Sequence, residues 1–129
     1  MIILDTHIWL WWVNRDTVKL DQRRLEQITS SDVVAVSAIS PFEVAWLVHH
    51  GCIVLPIGMR DWFEKALDGS GINLIPVTPE IACTAVELPD HHSDPQDRII
   101  IATALVNNAN LMSSDKKFSF YQELGKTLI

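Results

Sequence analysis

Residues 93–114 read SDPQDRIIIATALVNNANLMSS. Asp94 fits the residue that caps a helix and Pro95 fits the first helical position, where its missing N–H costs nothing. The apolar run from Ile99 to Leu105 predicts a helix continuing to about Asn108. The segment ANLMSS at 109–114 then predicts a short, covered β-strand. A helix running almost directly into a strand is half of a βαβ unit, and the same alternation recurs along the chain. Strands are predicted at MIILD (1–5), DVVAVS (32–37) and INLIPV (72–77), with IVL (53–55) as an edge strand and KTLI (126–129) as a last one. Helices are predicted at THIWLWWVN (6–14), 19–31, 40–51, RDWFEKALD (60–68) and TPEIACTAVELP (78–89). In the helix at 40–51, Ser40 reads as the cap, Pro41 as the first position, Glu43 as the third residue after the cap and Gly51 as the stop. This order of elements predicts the α/β class, with a parallel sheet covered by helices on both faces.

Bulk properties narrow the function. With 129 residues, 48% of them hydrophobic, the chain is expected to form a single domain, 1–129, with a real core. A net charge of −6 argues against a protein that grips nucleic acid through a basic surface, but not against one that does so through a metal. Cys52 and Cys83 lack C-x-x-C spacing and read as buried thiols of a reducing compartment. The apolar start carries Asp5, has no basic residues before it and is too short to span a bilayer, so a cytoplasmic protein with no membrane partner is expected.

In a parallel sheet of this kind, sites form outside the carboxyl ends of the strands. Asp5 ends the first strand and Asp115 follows ANLMSS. Glu43 starts the helix after DVVAVS. Asp97 starts a helix that runs antiparallel to its strand, so it too falls at the carboxyl edge. Taken singly, each has a structural explanation: Asp97 and Glu43 read more readily as capping acids than as ligands, and Asp5 and Asp115 also precede helical segments. Asp94 is the most cap-like of all. Capping does not explain why four acids gather at one edge. Two carboxylates 4 Å apart repel by about 4 kcal/mol at an effective dielectric near 20, so such a cluster must protonate, splay apart or bind a cation. An all-oxygen donor set favours Mg²⁺ or Mn²⁺. Such ions activate water and offset charge in phosphodiester hydrolysis.

The motifs together resemble the PIN-domain nucleases, and among them the VapC-like toxins of type II toxin–antitoxin pairs. LDTHIWLWW (4–12) resembles the opening motif, SAISPFEVA (37–45) the second, LPDHHSDPQDRIIIATAL (88–105) the third and LMSSDKKFSFY (111–121) the fourth. The resemblance covers nearly the whole chain. It implies a three-layer α/β/α sandwich with a mostly parallel central sheet. It further implies a Mg²⁺- or Mn²⁺-dependent endoribonuclease, usually a homodimer, acting on RNA and inhibited by a cognate antitoxin protein. The family's acids map onto Asp5, Glu43, Asp97 and Asp115, with Asp94 as an extra or outer metal ligand. Thr6 and Ser113 would orient ligands or water, and Arg98, Lys116 and Lys117 are candidates to contact the RNA backbone. Two departures are mild: Ser113 stands where the family often has Thr, and Phe42 where it often has Trp.

Competing readings are a non-catalytic binding module that keeps the fold, a receiver domain and a haloacid-dehalogenase relative. The receiver needs an Asp that IVLP (53–56) does not offer, and the dehalogenase needs Asp where His7 stands. DHH at 90–92 matches a motif of a different, longer phosphoesterase family and is expected to be coincidental. The pairs His49–His50 and His91–His92 lack the i, i+4 spacing of a helical zinc site. Trp9, Trp11, Trp12, Trp46 and Trp62 are expected mainly in the core, with a groove of Trp9, Trp12 and Trp46 for an apolar partner helix as the alternative.

Overall fold

The computed structural model describes residues 1–91 and 93–129; His92, and with it part of the DHH stretch, lies outside the described residues. The chain runs β1 (Ile2–Leu4), α1 (Thr6–Val13), α2 (Gln22–Thr29), β2 (Val34–Ser37), α3 (Ile39–His49) and α4 (Met59–Leu67). It continues through β3 (Asn73–Ile75), α5 (Pro79–Glu87), α6 (Pro95–Val106) and β4 (Asn110–Met112), then two 3₁₀ turns at Lys116–Phe120 and Gly125–Thr127. The four strands form one sheet in the order β3-β2-β1-β4, and every pairing is parallel.

Period-two alternation along the strands builds the layers. Ile2, Leu4, Val36 and Met112 point to one face, where they meet Ile8 and Trp9 of α1, Ile28 of α2, Val44 of α3 and Trp62 of α4. Ile3, Ala35 and Leu111 point to the other, where Ile100, Ile101 and Ala104 of α6 cover them together with Phe118 and Tyr121. Helix α5 packs outside α6 through Ile81 and Ala85 against Ala102. The result is the expected α/β/α sandwich. Trp9 and Trp62 are fully buried and meet edge to face at 5.2 Å, and their indole N–H groups donate to the Ala66 carbonyl and to Asn14 Oδ1. Among the described residues, no helix is long and apolar enough to cross a membrane.

Several local expectations are corrected. Helix α3 begins two residues earlier than its sequence suggests, at Ile39 instead of Pro41. Ala38 precedes it without a side-chain cap, and the Ile39 N–H donates to Ser37 Oγ at 3.2 Å. Ser40 is therefore inside the helix and fully buried, and Glu43 sits two positions further in. IVL forms no strand, and KTLI contributes one isolated parallel bridge, Leu111 to Leu128, instead of a full strand. The groove of three tryptophans does not form, because Trp9 is in the core and Trp46 is exposed and stacked on His50 at 3.8 Å. Trp11 and Trp12 instead line a cleft of about 520 Å³ with Leu20, Leu25 and Lys65.

Both cysteines are exposed, not buried. On α5 the buried positions are Ile81 and Ala85, four apart, and Cys83 midway between them falls on the opposite side of the helix. Native protein treated with a chromogenic disulfide reagent is therefore expected to release two thiol equivalents without denaturant. Fewer than two would put one of them under cover.

Candidate active site

Asp5 leaves the end of β1 and caps α1. It is buried, with one carboxylate oxygen accepting from the Thr6 N–H at 2.8 Å and the other from Ser113 Oγ at 2.8 Å. The second bond spans 108 residues of sequence and ties β1 to the loop after β4. Ser113 Oγ also accepts from the Asp115 N–H at 3.0 Å, so one hydroxyl holds both acids in register. Asp115 caps the first 3₁₀ turn by accepting from the Lys117 N–H at 2.9 Å. Thr6 Oγ1 donates to Glu43 Oε1 at 2.8 Å and lies 2.9 Å from Ser40 Oγ, linking α1 to α3.

Asp94 takes the capping role its sequence suggests, accepting from the N–H groups of Gln96 at 3.0 Å and Asp97 at 3.4 Å. That releases Asp97 from serving as cap, and it lies in the first turn of α6. Its surroundings are strongly acidic. Burial, followed by the charges of Asp5, Asp94, Glu43 and Asp115, pushes its carboxyl up to about 8. Asp5 is pushed up to about 6, by burial first and by Glu43; the hydrogen bonds from Ser113 and Thr6, and the charge of His7, act the other way. The structure thus brings Asp5, Asp94, Glu43 and Asp115 into electrostatic range of Asp97, which stands at the centre of the repulsion.

Among the described residues, no three acidic, histidine or cysteine side chains close around one point as a finished metal cage. The donor set fits a hard divalent cation nonetheless. It is all oxygen, it carries excess negative charge, and Asp5 and Asp97 are both pushed toward the protonated form, which a cation would reverse.

The cations fare differently. Lys116 and Lys117 are exposed beside Asp115. Arg98 is not placed to meet a polyanion. Its guanidinium is buried and donates to the carbonyls of Val86 at 3.2 Å, Leu88 at 2.6 Å and Pro89 at 3.0 Å, and pairs with Asp90 at 3.7 Å. These carbonyls lie at the C-terminal end of α5, where the last turn lacks intrahelical donors and the helix dipole is negative. Arg98→Ala is expected to cost about 3 kcal/mol of stability, since several charge-assisted bonds go at once. Arg98→Lys should recover little, because an ammonium cannot reproduce the fork. Denaturant melts of the two variants check this, and near-wild-type stability in either would refute it. Arg24 lies outside the candidates the sequence offers. From α2 it donates to the Ser113 carbonyl at 3.4 Å, backing the loop that carries Asp115. In the sequence it stands four residues after Leu20 and four before Ile28, a helical spacing that predicts a place on the inward face.

Comparison with known proteins places these residues in context. Residues 2–124 match the family model of the PIN domain. Ribonuclease VapC22 of Mycobacterium tuberculosis is 34% identical over 117 residues, covering 90% of this chain and 88% of that protein. Among solved structures, a toxin–antitoxin complex from Klebsiella pneumoniae superposes with a TM-score of 0.66 at 19% identity, covering 100% of this chain and 96% of that one. VapBC2 from Rickettsia felis, bound to a DNA fragment from its promoter, gives 0.69 at 20% identity, with 95% of each chain covered. At such identities the structural matches speak for the fold.

Proposed function

Because this chain belongs to the PIN-domain family, we propose that it is an endoribonuclease that hydrolyses RNA phosphodiester bonds with Mg²⁺ or Mn²⁺, and that it serves as the toxin of a toxin–antitoxin pair. The observation that carries the mechanism is Asp97, a half-buried carboxyl at the carboxyl edge of the sheet with four other acids in electrostatic range. A chain with no use for a cation there gains nothing from that arrangement, which is destabilising on its own. Asp5, Asp97 and Asp115 would hold the metal directly, Glu43 directly or through water, and Asp94 from outside while it caps α6. A bound divalent ion would activate water and offset charge on the phosphate.

The chain's own contributions are positional. Ser113 fixes the Asp5 rotamer and the Asp115 backbone with one hydroxyl. Thr6 fixes Glu43 from α1. Lys116 and Lys117 are the exposed candidates left to meet the RNA backbone, and two positive charges beside so many acids would leave substrate binding dependent on the metal. The family relationship and the toxin–antitoxin complexes among the structural matches support an antitoxin partner; a homodimer is proposed on the family pattern.

The test is cleavage of a mixed RNA pool with Mn²⁺, with EDTA and with a folded Asp5→Asn variant. Cleavage that needs Mn²⁺ and vanishes in Asp5→Asn is expected. Cleavage that persists in EDTA removes the metal, and a wild type that neither cleaves nor is stabilised by Mn²⁺ favours a binding module that has kept the fold.

A further inference from the structure

Ser40 is a fully buried hydroxyl in the first turn of α3, and it does not cap that helix. Its Oγ lies 2.9 Å from Thr6 Oγ1, and Thr6 Oγ1 lies 2.8 Å from Glu43 Oε1. Proton counting fixes the direction of this chain. A threonine hydroxyl has one proton, and an ionised carboxylate can only accept. Thr6 therefore spends its proton on Glu43, and Ser40 must supply the proton of the bond it shares with Thr6. The sequence is Ser40 O–H to Thr6 O–H to the Glu43 carboxylate, running from the buried start of α3, across to α1, and back to α3 one turn later. A donor that itself accepts a hydrogen bond is polarised and becomes a stronger donor. Without Ser40, the Thr6 hydroxyl keeps its partner but loses the contact that sets its rotor, since a threonine can turn its proton elsewhere.

We infer that Ser40 is a positioning residue that sets the Glu43 carboxylate for metal through Thr6, with no contact of its own to metal or RNA. The inference rests on the reading of Glu43 as one of the acids of the site. It also accounts for a buried hydroxyl at a position where a helix interior would ordinarily take alanine.

The experiment is Mn²⁺ titration by calorimetry on wild type, Ser40→Ala, Ser40→Cys, Thr6→Val and the double variant Ser40→Ala/Thr6→Val, each shown to be folded by its melting curve. Ser40→Cys keeps the volume but is a poor donor, so it separates loss of the hydroxyl from loss of packing. Removing an outer hydrogen-bond partner of a metal ligand weakens metal affinity by about 10- to 100-fold. Thr6→Val is expected in that range and both Ser40 variants at its lower end, about 10-fold, with kcat on RNA falling in parallel and KM for RNA unchanged. Because Ser40 acts through Thr6, adding Ser40→Ala to Thr6→Val should weaken Mn²⁺ binding no further. Mn²⁺ affinity within twofold of wild type in the Ser40 variants, or additive losses in the double variant, would overturn the assignment. A wild type that takes up no Mn²⁺ would instead overturn the site reading itself, and this assignment with it.

Discussion

Replacing Asp97 by Asn is expected to abolish metal-dependent RNA cleavage and, at the same time, to raise the melting temperature of the metal-free protein. The two effects have one cause. In the unfolded chain Asp97 is an ordinary carboxylate. In the folded chain burial and four neighbouring acids push it up to about 8. Near neutral pH the native state must either take up a proton or hold a charge where none is welcome. Asparagine has the same shape and no charge, so it lifts that penalty. Discounting heavily for the half-exposed position of the carboxyl, the gain is about 2 kcal/mol, or roughly 5 °C or more for a domain of this size. The Asp97 N–H still donates to Asp94, so the start of α6 is preserved. Asp94→Asn removes only one of the surrounding charges and is expected to move the melting temperature less. A variant that loses both activity and stability would show that Asp97 holds the fold together and would remove it from the site.

Much of this arrangement was legible in the sequence, for a local reason. A strand that stops at Asp5, and a cap–proline pair at Asp94 and Pro95, mark where the chain reverses at the sheet's carboxyl edge, and the right-handed parallel connection does the rest. What was not legible depends on contacts between distant segments. Arg98 follows Asp97 directly and reads as a neighbour of the acids, yet adjacent helical positions point about 100° apart. That turn carries it away from the edge and under the end of α5. The Ser-Pro start of α3 reads as a cap because capping is a local rule. Whether Ser37 would satisfy the Ile39 N–H first, leaving Ser40 to face Thr6, depends on how β2 meets α1. The general habit of thiols to be buried points the wrong way for both cysteines; for Cys83 the spacing of Ile81 and Ala85 around it carries the better signal.

The metal-free protein is expected to lose stability as pH rises from about 4 to about 8, and divalent metal should restore it. Asp5 and Asp97 both have native-state values raised above the unfolded 3.8, to about 6 and about 8. Below 3.8 both are protonated folded or unfolded, and neither costs anything. As pH rises past 3.8 the unfolded chain gives up protons that the native state keeps, so unfolding releases protons and stability falls with pH. The loss grows through about 6, where Asp5 ionises, and levels off above about 8, where Asp97 does. A cation that binds the ionised cluster reverses the sign of the interaction and displaces the retained protons. Its stabilisation should therefore be small at pH 5 and large at pH 8.5. At a metal concentration about 100 times its dissociation constant the gain is about 2.7 kcal/mol, which is several degrees in melting temperature. Melting curves from pH 5 to 8.5, with Mn²⁺ and with EDTA, read both effects at once. Calorimetry in buffers of different ionisation enthalpy would then count the protons released per metal. Metal-free stability that is flat or rising across this window would mean the acids do not repel one another in the folded chain. A metal effect of equal size at pH 5 and pH 8.5 would mean that the cation binds elsewhere.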